Sequence, residues 1–229
     1  MIPVSREAHS PVAAILRRVP AALDENGRAR ARKALMRRDK RLAAVIRQVG
    51  PCSMEDRGDP YRMLLRSVIY QQLAGAAART IDGRLRAPWR GRYPRPEVLL
   101  AAPETQLRAA GLSRQKIAAV RAVAQAFDAG DVTNRALRRM EDDAVIESVT
   151  RIHGIGEWTA HMLLMFSLGR PDVLPVGDYG IRKGAMQLYG LRDLPKPKQL
   201  EALAEPWRPY RSVASWYLWR VADTIAPGA

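Results

Sequence analysis

Gly154-Ile155-Gly156 is the group of residues whose type and spacing most directly suggest chemistry. It lies in the run Val-Thr-Arg-Ile-His-Gly-Ile-Gly-Glu-Trp-Thr-Ala, residues 149–160. A helix is expected to end at Ile152 and another to begin near Glu157. Glycine permits positive φ and lets a backbone come close to a ligand with no Cβ in the way. The N–H groups of such a turn and of the next helix's first residues have no intrahelical partners. Turned outward, they make an anion site suited to a DNA phosphate. The same glycine spacing also serves ordinary corners between helices, so the turn alone leaves both readings open. Two acids follow. Asp178 comes after Gly177 and before the helical stretch 179–189, a position that by itself predicts an N-cap. Asp172 reads as a structural residue of its loop. The spacing of His9, His153 and His161 does not form a divalent-metal cluster. The single Cys52 excludes an internal disulfide framework and any zinc or iron–sulfur cluster built on thiolates.

The charge balance supports the phosphate reading. The chain has 229 residues and a formal net charge of +15, from 38 Lys and Arg against 23 Asp and Glu. Self-repulsion on that scale opposes a compact state unless a polyanion relieves it, with nucleic acid the first candidate and an anionic membrane the second. Apolar residues make up 47% of the chain, enough to build a core. The apolar stretches, such as Met162 to Phe166, are too short to span a bilayer. Arg6, Glu7 and His9 break any signal-peptide pattern. The expected setting is reducing and cytoplasmic, without a membrane partner.

The elements that must position these residues read as helical nearly throughout, with no alternating strand pattern. Residues 1–26, with Pro3, Pro11 and Pro20, are expected to be a loose arm with one short helix. Residues 28–48 predict one amphipathic helix. Leu35, Leu42, Val45, Ile46 and Val49 form its apolar stripe, and its outer face is basic, a solvated face or a phosphate-contacting one. Gly50-Pro51 ends it. Asp59-Pro60 starts a helix over 61–72, with Leu64, Leu65, Val68, Ile69 and Leu73 on the buried side. An Ala-rich, closely packed helix is expected over 74–86, then a proline-broken loop over 87–96. Further helices are expected at 97–101, 104–110, 114–129 and about 142–151.

With those elements placed, the chain resembles the HhH-GPD superfamily of DNA glycosylases, most nearly its alkylation-repair branch. The resemblance is carried in order by Ile69-Tyr70-Gln71-Gln72-Leu73, Gly111-Leu112-Ser113-Arg114-Gln115-Lys116, the Gly154–Ala160 hairpin, Asp178-Tyr179-Gly180-Ile181-Arg182-Lys183 and Trp207-Arg208-Pro209-Tyr210-Arg211-Ser212. The loop Gly169–Gly177 supplies the family's Gly/Pro-rich segment. The chain has neither room nor pattern for the β-rich N-terminal domain of the branch's long members, and too few cysteines for the iron–sulfur branch.

The resemblance implies an all-α fold of two helical lobes: residues 64–169 form the central lobe with the helix–hairpin–helix, and residues 1–63 pack with residues 170–229. It implies a monomeric enzyme that flips alkylated bases of the 3-methyladenine class out of double-stranded DNA and excises them hydrolytically. Asp178 would be the catalytic carboxylate, at the mouth of the cleft between the lobes. Trp158, Tyr179, Trp219 and Gln71 would hold the base. Gly154, Ile155, Gly156, Thr159 and Gln72 would contact DNA, and Leu73 would be the wedge that fills the gap in the stack, although its helical spacing suits a core residue equally. Trp158 stands where bifunctional relatives place a lysine, which implies no lyase step. No cofactor is required, although the backbone carbonyls of Thr150, Ile152 and Ile155 are the family's positions for a Na+ or K+ ion. Two alternatives stay open: a non-enzymatic helix–hairpin–helix DNA-binding module, and a glycosylase for oxidised or mismatched bases.

Overall fold

The computed structural model describes residues 22–54, 58–73 and 75–224. The expected N-terminal arm lies largely outside them. Within them the chain is built from helices, and no strand occurs among the described residues.

Capping side chains set six of the helix starts among the described residues. The expected single helix over 28–48 is two, α1 (Glu25–Arg38) and α2 (Lys40–Val49). Asp39 divides them. Its extended backbone leaves the helical range, and its carboxylate accepts from the N–H groups of Arg41 and Leu42, capping α2. Gly50 ends α2 at φ 85°. Asp59 caps α3 (Pro60–Tyr70) through Arg62 N–H, with Pro60 at the first helical position. The expected helix over 61–72 therefore stops short, and Gln71–Leu73 form a turn, with Gln72 at φ 55°. The next helix, α4 (Gly75–Arg86), buries only Ala78, Asp82 and Leu85, so it packs less closely than its alanine content suggested.

Helices α5 (Pro96–Ala101), α6 (Glu104–Ala109), α7 (Arg114–Asp128), α8 (Asn134–Arg139), α9 (Asp142–Thr150) and α10 (Glu157–Phe166) complete one packing group, with α3 against α7, α10, α4 and α8. The second group joins α1 and α2 to α11 (Tyr179–Tyr189), α12 (Pro197–Ala204) and α13 (Arg211–Thr224). A continuous apolar core runs through both groups. The segment between α10 and α11 stitches them together. Buried Ser212 of α13 donates to Arg170 O and accepts from Val173 N–H, and Asp172 pairs with Arg211 and Arg208. Asp172 is thus a structural acid.

Within the second group, α11 and α13 pack at unusually close range. A Cβ at Gly184 would overlap the Leu218 carbonyl, so the two backbones touch there only because glycine has no side chain. Trp207, Trp216 and Tyr217 are buried in the same group.

Candidate active site

Asp178 is the residue on which the two packing groups converge. It caps α11, with Oδ1 accepting from Ile181 N–H at 2.8 Å. Oδ1 also accepts from the indole N–H of Trp219, on α13, at 2.9 Å. Oδ2 accepts from the indole N–H of Trp158, on α10, at 2.7 Å. The N-cap position predicted by spacing is therefore real, and it does not exhaust the carboxylate. A carboxylate offers about four lone-pair positions. Three are engaged, and the remaining one on Oδ2 is available to a water or to developing charge. The positive end of the α11 dipole adds to the field at this carboxylate.

Gly180 makes the Trp219 contact possible. A Cβ there would lie 2.7 Å from Trp219 Cδ1 and 3.2 Å from Asp178 Oδ1. Together with Gly184 it forms an i, i+4 pair in α11, a spacing visible in the sequence. A glycine inside a helix costs about 1 kcal/mol relative to alanine, so two on one face call for a packing explanation.

The two indoles also wall a pocket of about 300 Å³, shared with Phe166 and Met162 of α10 and with Met63, Arg66, Ser67 and Tyr70 of α3. Phe166 stacks on Trp219, with ring centroids 5.8 Å apart and planes at 28°. The α3 contribution was not foreseen, because Met63 and Tyr70 read as part of an ordinary helix face. Tyr179 was expected in the pocket and does not line it; its side chain is 66% exposed, turned away by its place at the first residue of α11.

Gln71 likewise does not line the pocket. Its side-chain amide donates to Gly154 O and to Thr159 Oγ1, each at 3.1 Å, tying the end of α3 to the hairpin. Thr159 is 1% exposed, so its hydroxyl serves this tie and cannot reach a phosphate. Lys116 of α7 braces the same turn by donating to Ile69 O and, at 2.9 Å, to Gln71 O. Desolvation by burial lowers the pKa of this ammonium. Beyond the brace, Gln72 and Leu73 are exposed, Leu73 by 37%. Leu73 is therefore no part of the core.

The hairpin itself divides its glycines by role. Gly154 is at φ 82°, and a Cβ there would overlap that of Ala119 in α7. Its glycine is required by packing inside the protein. Gly156 caps α10 from an extended conformation at φ −100°, with nothing within 4 Å of a Cβ. Of the two glycines, only Gly154 uses the positive φ that glycine permits. His153, Gly154 and Gly156 are exposed and Ile155 is buried, which leaves the first turn of α10 open to solvent on one side. Ile155 N–H donates to Ile152 O at 3.0 Å, which leaves that carbonyl one lone pair. Among the described residues no group of His, Cys, Asp and Glu is arranged to hold a metal ion.

Comparison with known proteins gives this geometry a lineage. The model of HhH-GPD superfamily base excision DNA repair proteins matches residues 65–209. The chain belongs to this superfamily. DNA-3-methyladenine glycosylase 1 of Schizosaccharomyces pombe is 35% identical over 193 residues, covering 82% of this HhH-GPD chain and 85% of its own. The structure of the S. pombe 3-methyladenine DNA glycosylase Mag1 in complex with abasic DNA superposes with a TM-score of 0.77 at 34% identity, covering 83% of this chain and 95% of that one. A DNA-3-methyladenine glycosidase from Bacillus halodurans superposes with a TM-score of 0.74 at 39% identity, covering 85% and 89%. The all-α expectation is met in the described residues, and no helix among them is long and apolar enough to cross a membrane.

Proposed function

We propose that this HhH-GPD protein is a monofunctional alkylbase DNA glycosylase that acts on double-stranded DNA. The observation that carries the reading is the position of Asp178, held by the two indoles that also wall the pocket. A base flipped into that pocket brings its deoxyribose up to the carboxylate. An alkylated purine is cationic, so its N-glycosidic bond breaks without strong acid catalysis and the base leaves neutral. The sugar left behind is an oxocarbenium ion. Asp178 stabilises that cation and orients the water that adds to the anomeric carbon, the added water losing a proton. The electron-rich indole faces favour a cationic base by on the order of 0.5–2 kcal/mol.

Trp158 has no amine to attack the sugar, so the product is an abasic site and the strand stays whole. The exposed turn before α10 grips a backbone phosphate through the N–H groups of its first residues. The carbonyls of Thr150, Ile152 and Ile155 would hold a monovalent cation there, which would add positive charge beside the phosphate. The proposed enzyme acts as a monomer.

Asp178→Asn tests the reading. The variant is expected to retain duplex binding and to lose base release from methylated DNA. Release at the wild-type rate would refute the assignment, leaving a DNA-binding module whose pocket has another purpose.

A further inference from the structure

The base pocket is apolar on the side of the indoles and polar on the side of α3. Tyr70 lies at that polar wall, and its ring face is already occupied. The Arg66 guanidinium carbon is 4.3 Å from the ring centroid. Arg66 is in turn paired with Asp82, whose side chain is 3% exposed and which also holds Arg86 at 3.0 Å and Tyr93. Asp82 thereby fixes Arg66 over the ring. A flipped base therefore cannot stack on that face of Tyr70. The phenol oxygen is buried and has no hydrogen-bond partner among the described residues. A buried hydroxyl left unpaired is costly, and tyrosine hydroxyls inside proteins ordinarily find a partner.

We infer that the Tyr70 hydroxyl is a specificity-determining group that donates a hydrogen bond to an acceptor atom on the edge of the flipped purine. The inference rests on the pocket's role as the base site. Arg66 strengthens the hydrogen bond: a cation over the ring withdraws electron density from the phenol and makes its O–H a better donor. It also biases what the wall takes, since a base that presents only donors to this edge can bond the phenol oxygen but leaves its O–H proton without an acceptor. A pocket built to hydrogen-bond its substrate rejects analogues lacking the partner more strongly than an apolar pocket rejects a change of size. Stacking on the indoles then supplies affinity for electron-poor bases in general, and Tyr70 selects among them.

Tyr70→Phe removes the hydroxyl and keeps the ring under Arg66. The probes are free 3-methyladenine and two analogues in which carbon replaces ring N1 or ring N7, measured as competitors of base excision and by direct binding. The wild-type protein is expected to bind one of the two analogues about tenfold more weakly than the parent base. Y70F is expected to bind the parent about tenfold more weakly than wild type does, to lose the preference, and to keep wild-type affinity for duplex containing an abasic site. Its thermal stability should be unchanged or raised, because an unpaired buried hydroxyl is gone. Retention of the wild-type preference by Y70F, or equal wild-type binding of all three bases, overturns the inference while leaving the pocket intact. Failure of every free base to bind a wild-type protein that still holds abasic DNA overturns the pocket reading and the Tyr70 role with it.

Discussion

Gly180 and Trp219 meet because one of them has no side chain: the indole occupies the space a Cβ at Gly180 would take, and from there its N–H reaches Asp178. Gly180→Ala should force the ring aside. Alanine favours the helix by about 1 kcal/mol, and overpacking costs about 1–3 kcal/mol, so the net change in stability should be small. The catalytic effect should be larger, because the pocket wall and one of the carboxylate's donors move together. Misplacing a group at a reacting centre by about 1 Å can cost about 100-fold in rate. Single-turnover excision of methylated bases, measured with thermal denaturation, checks this. A variant with the wild-type rate would show that the Trp219 contact to Asp178 is dispensable.

Asp39 organises the other end of the same packing group. Its carboxylate accepts from Tyr189 Oη, from Trp207 Nε1 at 2.8 Å and from the first N–H groups of α2. Burial alone would raise its pKa, but the hydrogen bonds from Tyr189, Leu42, Trp207 and Arg41 prevail and hold it below the usual aspartate value. A carboxyl depressed on folding contributes stability that is full above the unfolded pKa of about 4 and is lost as pH falls through the lower folded value. Thermal stability should therefore decline as pH falls below about 4, and Asp39→Asn should flatten this group's part of the decline. At neutral pH the same substitution should cost about 1–3 kcal/mol, from the weakened cap and two weakened buried hydrogen bonds. Denaturation of both proteins between neutral pH and pH 3 measures each effect. Parallel pH profiles would contradict the assignment.

The same aspartate shows where the sequence stops being legible. Residues 28–48 carry an apolar stripe at helical spacing, and periodicity alone continues straight through Asp39. What breaks the helix is a tertiary demand, the indole of Trp207 and the phenol of Tyr189, both more than 140 residues away. Asp39 caps α2 just as locally, but no Pro or Gly beside it marks the break, as Pro60 does at Asp59 and Gly177 at Asp178. The site divides along the same line. Asp178, Trp158 and Trp219 came from motif order, and they do converge. Tyr179, adjacent to the aspartate in sequence, points elsewhere. Tyr70 and Met63 join the pocket from a helix whose pattern signals only burial.

Leu73 separates a wedge from a core residue by a single substitution. It is 37% exposed on the turn that Lys116 and Gln71 brace. Leu73→Ala should change folding stability by no more than about 0.5 kcal/mol, as at other exposed sites. Excision from duplex should slow, because an apolar wedge offsets the unstacking of a flipped base, which costs a few kcal/mol. Excision from single strands should change little. Equal slowing on both substrates would assign Leu73 to something other than filling the stack.

The hairpin glycines should respond to alanine in opposite ways. Gly154 is at positive φ against Ala119, so Gly154→Ala should destabilise the protein by about 1–3 kcal/mol through overpacking and backbone strain. Gly156 has an ordinary φ and open space around it, so Gly156→Ala should fold normally. The methyl group it adds lies at the N-terminus of α10, where the phosphate is to be gripped. Duplex affinity should fall, with abasic-site DNA as the probe. Affinity should depend on salt in both wild type and G156A, with a slope of about 0.9 per phosphate neutralised. A shallower slope for G156A would mean that a phosphate contact is lost outright, and a parallel line at lower affinity that the contact survives at a greater distance. Unchanged affinity and slope would remove the turn from the DNA interface and leave Gly154-Ile155-Gly156 as a corner between helices.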